Sequence, residues 1–165
     1  MVCCLAPLAA AAEAPVAPTP EAALVSLWRA LSNEPDTSAD VPMLVRLFHA
    51  DAVVFGSRYR EGKAQLTVTP AAKFIESQSA VNSAGFFECE IHREIRQYDR
   101  FATAYSVVES RKLRAAEQPD FTDVNSIQLY RGDGGWKIIS LYFQVEVPAL
   151  AVPRASGISG KCLDG

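Results

Sequence analysis

One stretch constrains the fold more than any other: two β-rich runs joined by a glycine-rich turn, over residues 122–146. The turn reads Gly132-Asp133-Gly134-Gly135, and such a turn between two β-rich runs predicts a hairpin. Pairing across the turn sets a register in which three pairs share one face: Leu129 with Ile138, Ile127 with Ser140, and Asn125 with Tyr142. This face is apolar near the turn and polar at its far end. Such a wall is typical of a small-molecule pocket.

Capping residues followed by apolar residues at helical spacing predict three helices. In chain order they are residues 20–32 after Thr19, residues 41–51 after Asp40, and residues 70–78 after Thr69. Between the second and third helices, residues 52–55 form a short predicted strand and residues 56–65 a polar excursion.

From Phe86 the apolar residues alternate with a period of two, which predicts a second hairpin of residues 86–98 and 101–113. One face is small and apolar and suits the helices. The other is charged, and we expect it to be solvated or to form a homodimer contact. In this register Glu88 lies opposite Arg111 on the charged face.

Three N-terminal helices packed on a curved, mainly antiparallel sheet make an α+β domain at residues 21–147. The helices should cover the concave face of the sheet, with a cavity between the two layers. The length of 165 residues fits one such domain plus tails.

Both ends of the chain differ from this domain. Residues 1–20 carry one charged side chain, and their apolar run ends in Ala10-Ala11-Ala12, so the segment resembles a signal-peptide remnant and linker. A periplasmic or secreted location follows from that interpretation, and a cytoplasmic one follows if the segment is a plain Ala/Pro tail. Residues 148–165 are rich in Pro, Gly and Ser and are predicted to be disordered.

Composition argues against several classes of function. The net charge is −3 with no basic run, which disfavours nucleic-acid binding, and the N-terminal apolar run is too short to span a bilayer. No paired C-x-x-C motif exists, so we expect no metal and no other cofactor. Without the leader, Cys89 and Cys162 remain. An export route would allow them to pair, and otherwise Cys89 is a small buried hydrophobe.

Three segments resemble nuclear-transport-factor-two-like proteins, also known as the SnoaL-like or ketosteroid-isomerase-like cone fold. They are residues 47–52, which fit an LF-x-x-D-A pattern, residues 125–129, and residues 135–144. Glu109-Ser110-Arg111 also resembles a bacterial subgroup of that superfamily, most of whose members have no known activity. The resemblance implies a cone-shaped domain. It is much less specific about function, because the superfamily also contains isomerases, dehydratases, polyketide cyclases and an epoxide hydrolase.

The enzymatic relatives provide a test. In ketosteroid isomerase, which this chain resembles along helices one and two, a catalytic tyrosine falls on Trp28 and the general-base aspartate on Gly56. An oxyanion donor is worth about 3 kcal/mol and a general base about two to four decades in rate, so losing both argues against steroid-isomerase chemistry. The epoxide hydrolase needs an acidic pair inside its cavity, and we expect no inward acidic pair here.

The pocket-lining candidates are Asn125, Tyr142 and Gln144, which could bind a carbonyl or hydroxyl group or could instead satisfy one another or a buried water. Trp28 and Phe55 are core aromatics that could also line the pocket. A further candidate interrupts an apolar strand face. Arg93 could hold an anionic ligand, turn to solvent, or pair with a loop acid.

His49 and Asp51, at the end of the second helix, have either a capping role or an acid–base role. The function favoured by these residues is binding of a small hydrophobic molecule. The alternatives are an acid–base enzyme acting on a small carbonyl compound, with Tyr142 and Asn125 as donors and His49 or Asp51 as base, and a structural protein with a filled cavity.

Overall fold

The computed structural model describes residues 16–147 and 149–163. Within them lie three helices and six strands, in the order α1 (Pro20–Leu31), α2 (Val41–Leu47), β1 (Phe48–Arg60), β2 (Lys63–Pro70), α3 (Ala71–Ser77), β3 (Phe87–Tyr98), β4 (Phe101–Arg111), β5 (Phe121–Gly132) and β6 (Gly135–Val145). The strands form one curved sheet in the order β2-β1-β6-β5-β4-β3, in which only β1 and β6 run parallel.

Helices α1 and α2 begin where their caps predict, whereas α3 begins at Ala71 after Pro70 without a side-chain cap, because the predicted cap Thr69 belongs to strand β2. The Thr19 hydroxyl accepts the Ala22 N–H at 3.1 Å, and the Asp40 carboxylate accepts the Met43 N–H at 3.0 Å. The helices pack on one face of the sheet, called the inner face here, and bury an apolar core that includes Leu24, Leu27, Leu44, Leu47, Ile127, Leu129 and Ile138. The opposite face of the sheet is called the outer face. The α+β class is therefore confirmed.

The segment between the second and third helices differs from its prediction. Helix α2 ends at Leu47, and β1 then runs 13 residues before a turn at Glu61-Gly62 leads into β2. Both turn residues have positive φ, at 53° and 74°, as a tight hairpin turn requires. Helix α3 therefore follows a hairpin, and within the described residues two helices, α1 and α2, precede the sheet. Strand β2 is exposed along nearly its whole length, and its burial pattern therefore shows no alternation.

A β-bulge shifts the register of the β3–β4 hairpin. Glu90 pairs with Val108 and His92 with Val107, which leaves Ile91 as the extra residue. Glu88 therefore lies opposite Ser110 rather than Arg111. Because one extra residue reverses the faces, the glutamates at 88 and 90 point to the inner face, against the prediction.

A second bulge lies in the β5–β6 hairpin. Leu129 pairs with Ile138 as predicted, but Gln128 pairs with Ser140, so Ile139 is extra. Asn125 then lies opposite Phe143, and the predicted pairing of Asn125 with Tyr142 is wrong.

The chain termini also depart from expectation. Residues 149–163, expected to be disordered, lie against the outer face of β3 and β4, where Val152 packs with Cys89, Ile91 and Val107. Cys162 is bonded to Cys89. At the other end, Ala17 is fully buried and its carbonyl accepts the Trp136 N–H. Of the predicted signal-peptide remnant and linker, residues 1–20, the first 15 residues lie outside the described residues. No helix in the described ranges has the length and apolarity to cross a bilayer.

Candidate functional site

A cleft of about 480 Å³ opens between α1 and the edge strand β3. Helix α1 contributes Trp28 and Arg29 to its lining, and β3 contributes Glu88 and Glu90. Cys162, from the C-terminal segment, also lines it. The cleft therefore joins a helix, the edge of the sheet and the tail of the chain.

Trp28, a residue of the cleft wall, carries a buried hydrogen-bond donor without a partner in the described part of the chain. It lies on the buried side of α1 with only 6% of its surface exposed, and the unpaired donor is its Nε1. An unpaired buried donor costs about 1–3 kcal/mol, so native proteins seldom leave one without an acceptor. The arrangement suits a guest that carries a carbonyl or hydroxyl oxygen.

Arg93 points to the inner face, where it is already paired. Its Nε lies 3.0 Å from a carboxylate oxygen of Glu90, and its Nη2 donates to the same oxygen. The Ser106 hydroxyl donates to the other Glu90 oxygen at 2.5 Å. A buried carboxylate needs such partners. The acid that pairs with Arg93 is Glu90, which lies on the same strand rather than in a loop. This pairing gives no support to an anionic ligand.

Two further carboxyl groups point inward beside neutral polar side chains. The Ser110 hydroxyl donates to Glu88 at 2.8 Å, and the Asn125 amide lies 3.4 Å from Asp123. No basic side chain in the described ranges forms an ion pair with either acid. Together with Glu90, Arg93 and Ser106, these residues make up the inner polar cluster: Glu88, Glu90, Arg93, Ser106, Ser110, Asp123 and Asn125.

Burial changes the acidity of this pair. It raises the pKa of Glu88 to about 8, with a further contribution from the nearby Asp123 charge and an opposing one from the Ser110 hydrogen bond. Burial likewise raises the pKa of Asp123 to about 7, against hydrogen bonds that favour its ionised form. At neutral pH the pair therefore holds protons that exposed carboxylates would have released. The expectation of no inward acidic pair is wrong.

The predicted lining residues divide between the two faces of the sheet. Trp28 lines the cleft directly, and Asn125, 2% exposed, lies in the inner polar cluster. Tyr142 and Gln144 lie on the outer face, because Phe143 between them is the residue that faces Asn125. The Tyr142 hydroxyl is 3.4 Å from the Gln144 side-chain oxygen. Phe55, which pairs with Tyr142, shares that outer face.

His49 and Asp51 belong to β1 rather than to the end of a helix. Their side chains are 44% and 93% exposed, and they contact each other at 3.7 Å. The Asp51 N–H also donates to His49 Nδ1 at 3.2 Å. Neither residue lines the cleft between α1 and β3.

Gly56 lies under an aromatic ring. A Cβ atom at this position would lie 2.6 Å from Cζ of Phe143, closer than real contacts allow. The position where ketosteroid isomerase has its base thus lacks a side chain and is also covered by Phe143. Restoring an aspartate here would require that ring to move.

Sequence reasoning missed the acids of the inner polar cluster for two reasons. Glu88 was placed on the wrong face because the bulge at Ile91 has no sequence mark. Asp123 could have been found, since it lies two residues before Asn125 in the same strand and shares its face.

A six-stranded curved sheet whose inner face is covered by helices, with a cleft beneath the first helix, defines the NTF2-like cone architecture, and this chain has that fold. Solved structures with the same fold include NTF2-like proteins of unknown function from Silicibacter pomeroyi and Shewanella baltica. The first is 19% identical with a TM-score of 0.54, over 76% of this chain and 92% of that one. The second is 18% identical with a TM-score of 0.53, over 77% and 93%.

A third structure with this fold is a provisionally assigned ketosteroid isomerase from Parabacteroides distasonis. It is 15% identical with a TM-score of 0.53, over 79% of this chain and 89% of that one. At these identities the similarity establishes the fold and carries no function with it. The sequence matches no family model and no curated protein.

Proposed function

We propose that this protein binds a small organic molecule in the cleft between α1 and β3. The observation that carries the proposal is Trp28, which lines the cleft and whose buried Nε1 has no acceptor among the described residues. A guest with a carbonyl or hydroxyl oxygen would satisfy this donor. The volume of about 480 Å³ lies within the range of small-molecule sites.

Glu88 provides a second polar contact for such a guest. As a protonated carboxyl at neutral pH it can both donate and accept, so it suits a neutral polar group. The preferred ligand is therefore an uncharged compound with two oxygen functions and an apolar body.

The chain's tryptophan content makes a sharp test possible. Only Trp28 and Trp136 occur, so a ¹⁵N spectrum contains two indole N–H signals, and W28F assigns them. A panel of small carbonyl and hydroxy compounds should include one that shifts the Trp28 signal saturably and leaves the Trp136 signal in place. Native mass spectrometry of protein purified from its own host should show the retained compound. An empty native spectrum together with an unresponsive Trp28 signal would refute binding at this cleft.

A second candidate function is acid–base catalysis on a bound carbonyl compound. It is favoured by the inward Glu88 and Asp123, whose pKa values lie near neutrality, where a proton donor works best. The test is exchange of α-hydrogens of the bound compound in heavy water, followed by proton NMR. Under this proposal E88Q stops the exchange but still binds. Equal exchange rates in E88Q and wild type would exclude Glu88 from the chemistry.

We also propose a homodimer formed through the open part of the outer face. Residues 149–163 cover β3 and β4, but on β1 and β2 the large side chains Tyr59, Leu66 and Val68 are 55%, 59% and 57% exposed. They share the outer face with Phe55. Light scattering after gel filtration should give a dimer for wild type and a monomer for L66K. A monomeric wild-type protein at 100 µM would refute the dimer.

Export remains a proposal, and the Cys89–Cys162 disulfide supports it because such bonds persist in oxidising compartments. Fusing residues 1–20 to a phosphatase that is active only outside the cytoplasm tests it. Inactive fusions would refute export by this segment.

A further inference from the structure

Residues 149–163, called the C-terminal strap here, run across the outer face of β3 and β4. Val152 packs with Cys89, Ile91 and Val107, and the Ser156 hydroxyl lies 3.3 Å from His92 Nδ1. Gly157 lies so close to the bulge that a Cβ there would be 2.9 Å from the Ile91 carbonyl oxygen. The strap therefore packs closely against the bulged strand β3.

The middle of the strap is anchored on a buried carboxylate. Glu109 is fully buried, and one of its oxygens accepts from Arg111 at 2.7 Å and from the Gly160 N–H at 2.9 Å. Arg154 of the strap lies 3.6 Å from the other oxygen. Burial pushes the pKa of Glu109 upward, yet hydrogen bonds from Ser159, Arg111 and Gly160 together hold it below its usual value.

The end of the strap reaches the cleft. The Leu163 N–H donates to the Glu90 carbonyl at 2.8 Å, at the open edge of β3, and Cys162 itself lines the cleft. Cys162 is exposed while its partner Cys89 is 6% exposed, so a reductant meets the bond from the strap side. Among the described residues beyond Gly160, the disulfide and this hydrogen bond join the strap's end to the sheet.

We propose that the Cys89–Cys162 disulfide is a redox latch that holds the strap against the β3 edge and thereby restricts access to the ligand cleft. This inference rests on the proposed binding function, whose regulation it describes. The oxidised protein has the strap end as part of the cleft wall. Reduction frees Cys162 and Leu163 and widens the entrance beside Trp28.

The redox step needs a dithiol reductant, such as a thioredoxin-type protein or dithiothreitol. A thiolate of the dithiol attacks the sulfur of Cys162, the Cys89 thiolate leaves, and the second dithiol sulfur then releases Cys162. Two electrons and two protons pass to the protein, which ends with two thiols while the reductant becomes a disulfide. Glu109 still holds the middle of the strap, so the opening is confined to its end.

Hydrogen exchange measured by NMR tests the latch without any ligand. Addition of dithiothreitol should accelerate exchange of the Leu163 amide and the Trp28 indole N–H at least tenfold. The Gly160 amide, bonded to Glu109, and the Trp136 indole should accelerate at least tenfold less, because they respond only to the general loss of stability. C162S should show the same fast exchange without reductant, and the matched variant K161S, which keeps the disulfide, should behave as wild type.

Three outcomes would overturn the latch. If Leu163 is freed while Trp28 exchange is unchanged, the strap does not restrict the cleft. If neither rate changes, the strap end is held without the disulfide. If all four rates rise by the same factor, the disulfide only stabilises the domain as a whole and does not act as a latch. Because no compound is added, failure of the ligand panel and failure of the latch are separate results.

Discussion

Replacing Glu88 by glutamine should remove much of an inverted pH dependence of stability. The pKa of Glu88 is raised from 4.5 to about 8 in the folded protein. Between these values the folded state keeps a proton that the unfolded chain releases. The free energy of unfolding must therefore fall as pH rises through this window. Carboxylates in salt bridges give the opposite trend.

The magnitude follows from proton linkage. One fully retained proton changes the free energy of unfolding by about 1.4 kcal/mol per pH unit, or about 3 kcal/mol between pH 5 and pH 7. Glu88 is half-buried, so water screens part of the effect, and we expect about half of that change. In E88Q the neutral amide has no proton to retain, so its contribution to the slope disappears.

Guanidinium unfolding followed by circular dichroism at pH 5, 6 and 7 measures the effect in wild type, E88Q and E117Q. Glu117 is exposed, so the same chemical change there should leave the wild-type profile intact. The reasoning fails if wild-type stability stays level or rises from pH 5 to pH 7. It also fails if E88Q reproduces the wild-type slope.

Three further predictions concern stability. C162S, or reduction of wild type, opens a crosslink that spans 73 residues and should lower the free energy of unfolding by up to about 4 kcal/mol in guanidinium titrations; an unchanged midpoint would contradict this. G56A places a Cβ 2.6 Å from Phe143 and should lower the free energy of unfolding by about 1–3 kcal/mol, measured by thermal unfolding. The control G134A, where a Cβ would meet no atom within 4 Å, should change it little. Equal melting temperatures of the two variants would refute the overlap with Phe143. E109Q removes a buried charge facing Arg111, so it should lower the free energy of unfolding by about 3 kcal/mol and speed exchange of the Gly160 amide. The control E94Q, at a side chain that is 60% exposed, should do neither. Equal losses of stability in both variants would show that burial is irrelevant.

The sequence predicted the parts of the fold that local chemistry decides. Thr19 and Asp40 cap their helices because their side-chain oxygens accept backbone N–H groups of the first turn, and a Gly-rich turn between β-rich runs favours a hairpin. Strand β2 was missed because an exposed edge strand has no burial period to detect. The inner-face position of Asn125 was predicted correctly because it needs only alternation from Leu129 within one strand.

The candidate site was less predictable because it depends on one extra residue in each of two strands. The extra residues Ile91 and Ile139 have ordinary side chains, yet each shifts the pairing of everything beyond it. The strap was missed for another reason. Its Pro, Gly and Ser composition matches that of disordered tails, and its order comes from contacts with Glu109 and Cys89, which are distant in sequence.

The bulge at Ile91 determines features on both faces of the sheet. One inserted residue turns two acidic side chains into the interior and, on the reverse side, offers the carbonyl against which Gly157 rests. Loss of a single codon there would send both acids outward and remove the seat of the tail at once. Substitution scanning, which never alters spacing, would leave that dependence undetected, so it is in-frame deletions that would reveal it.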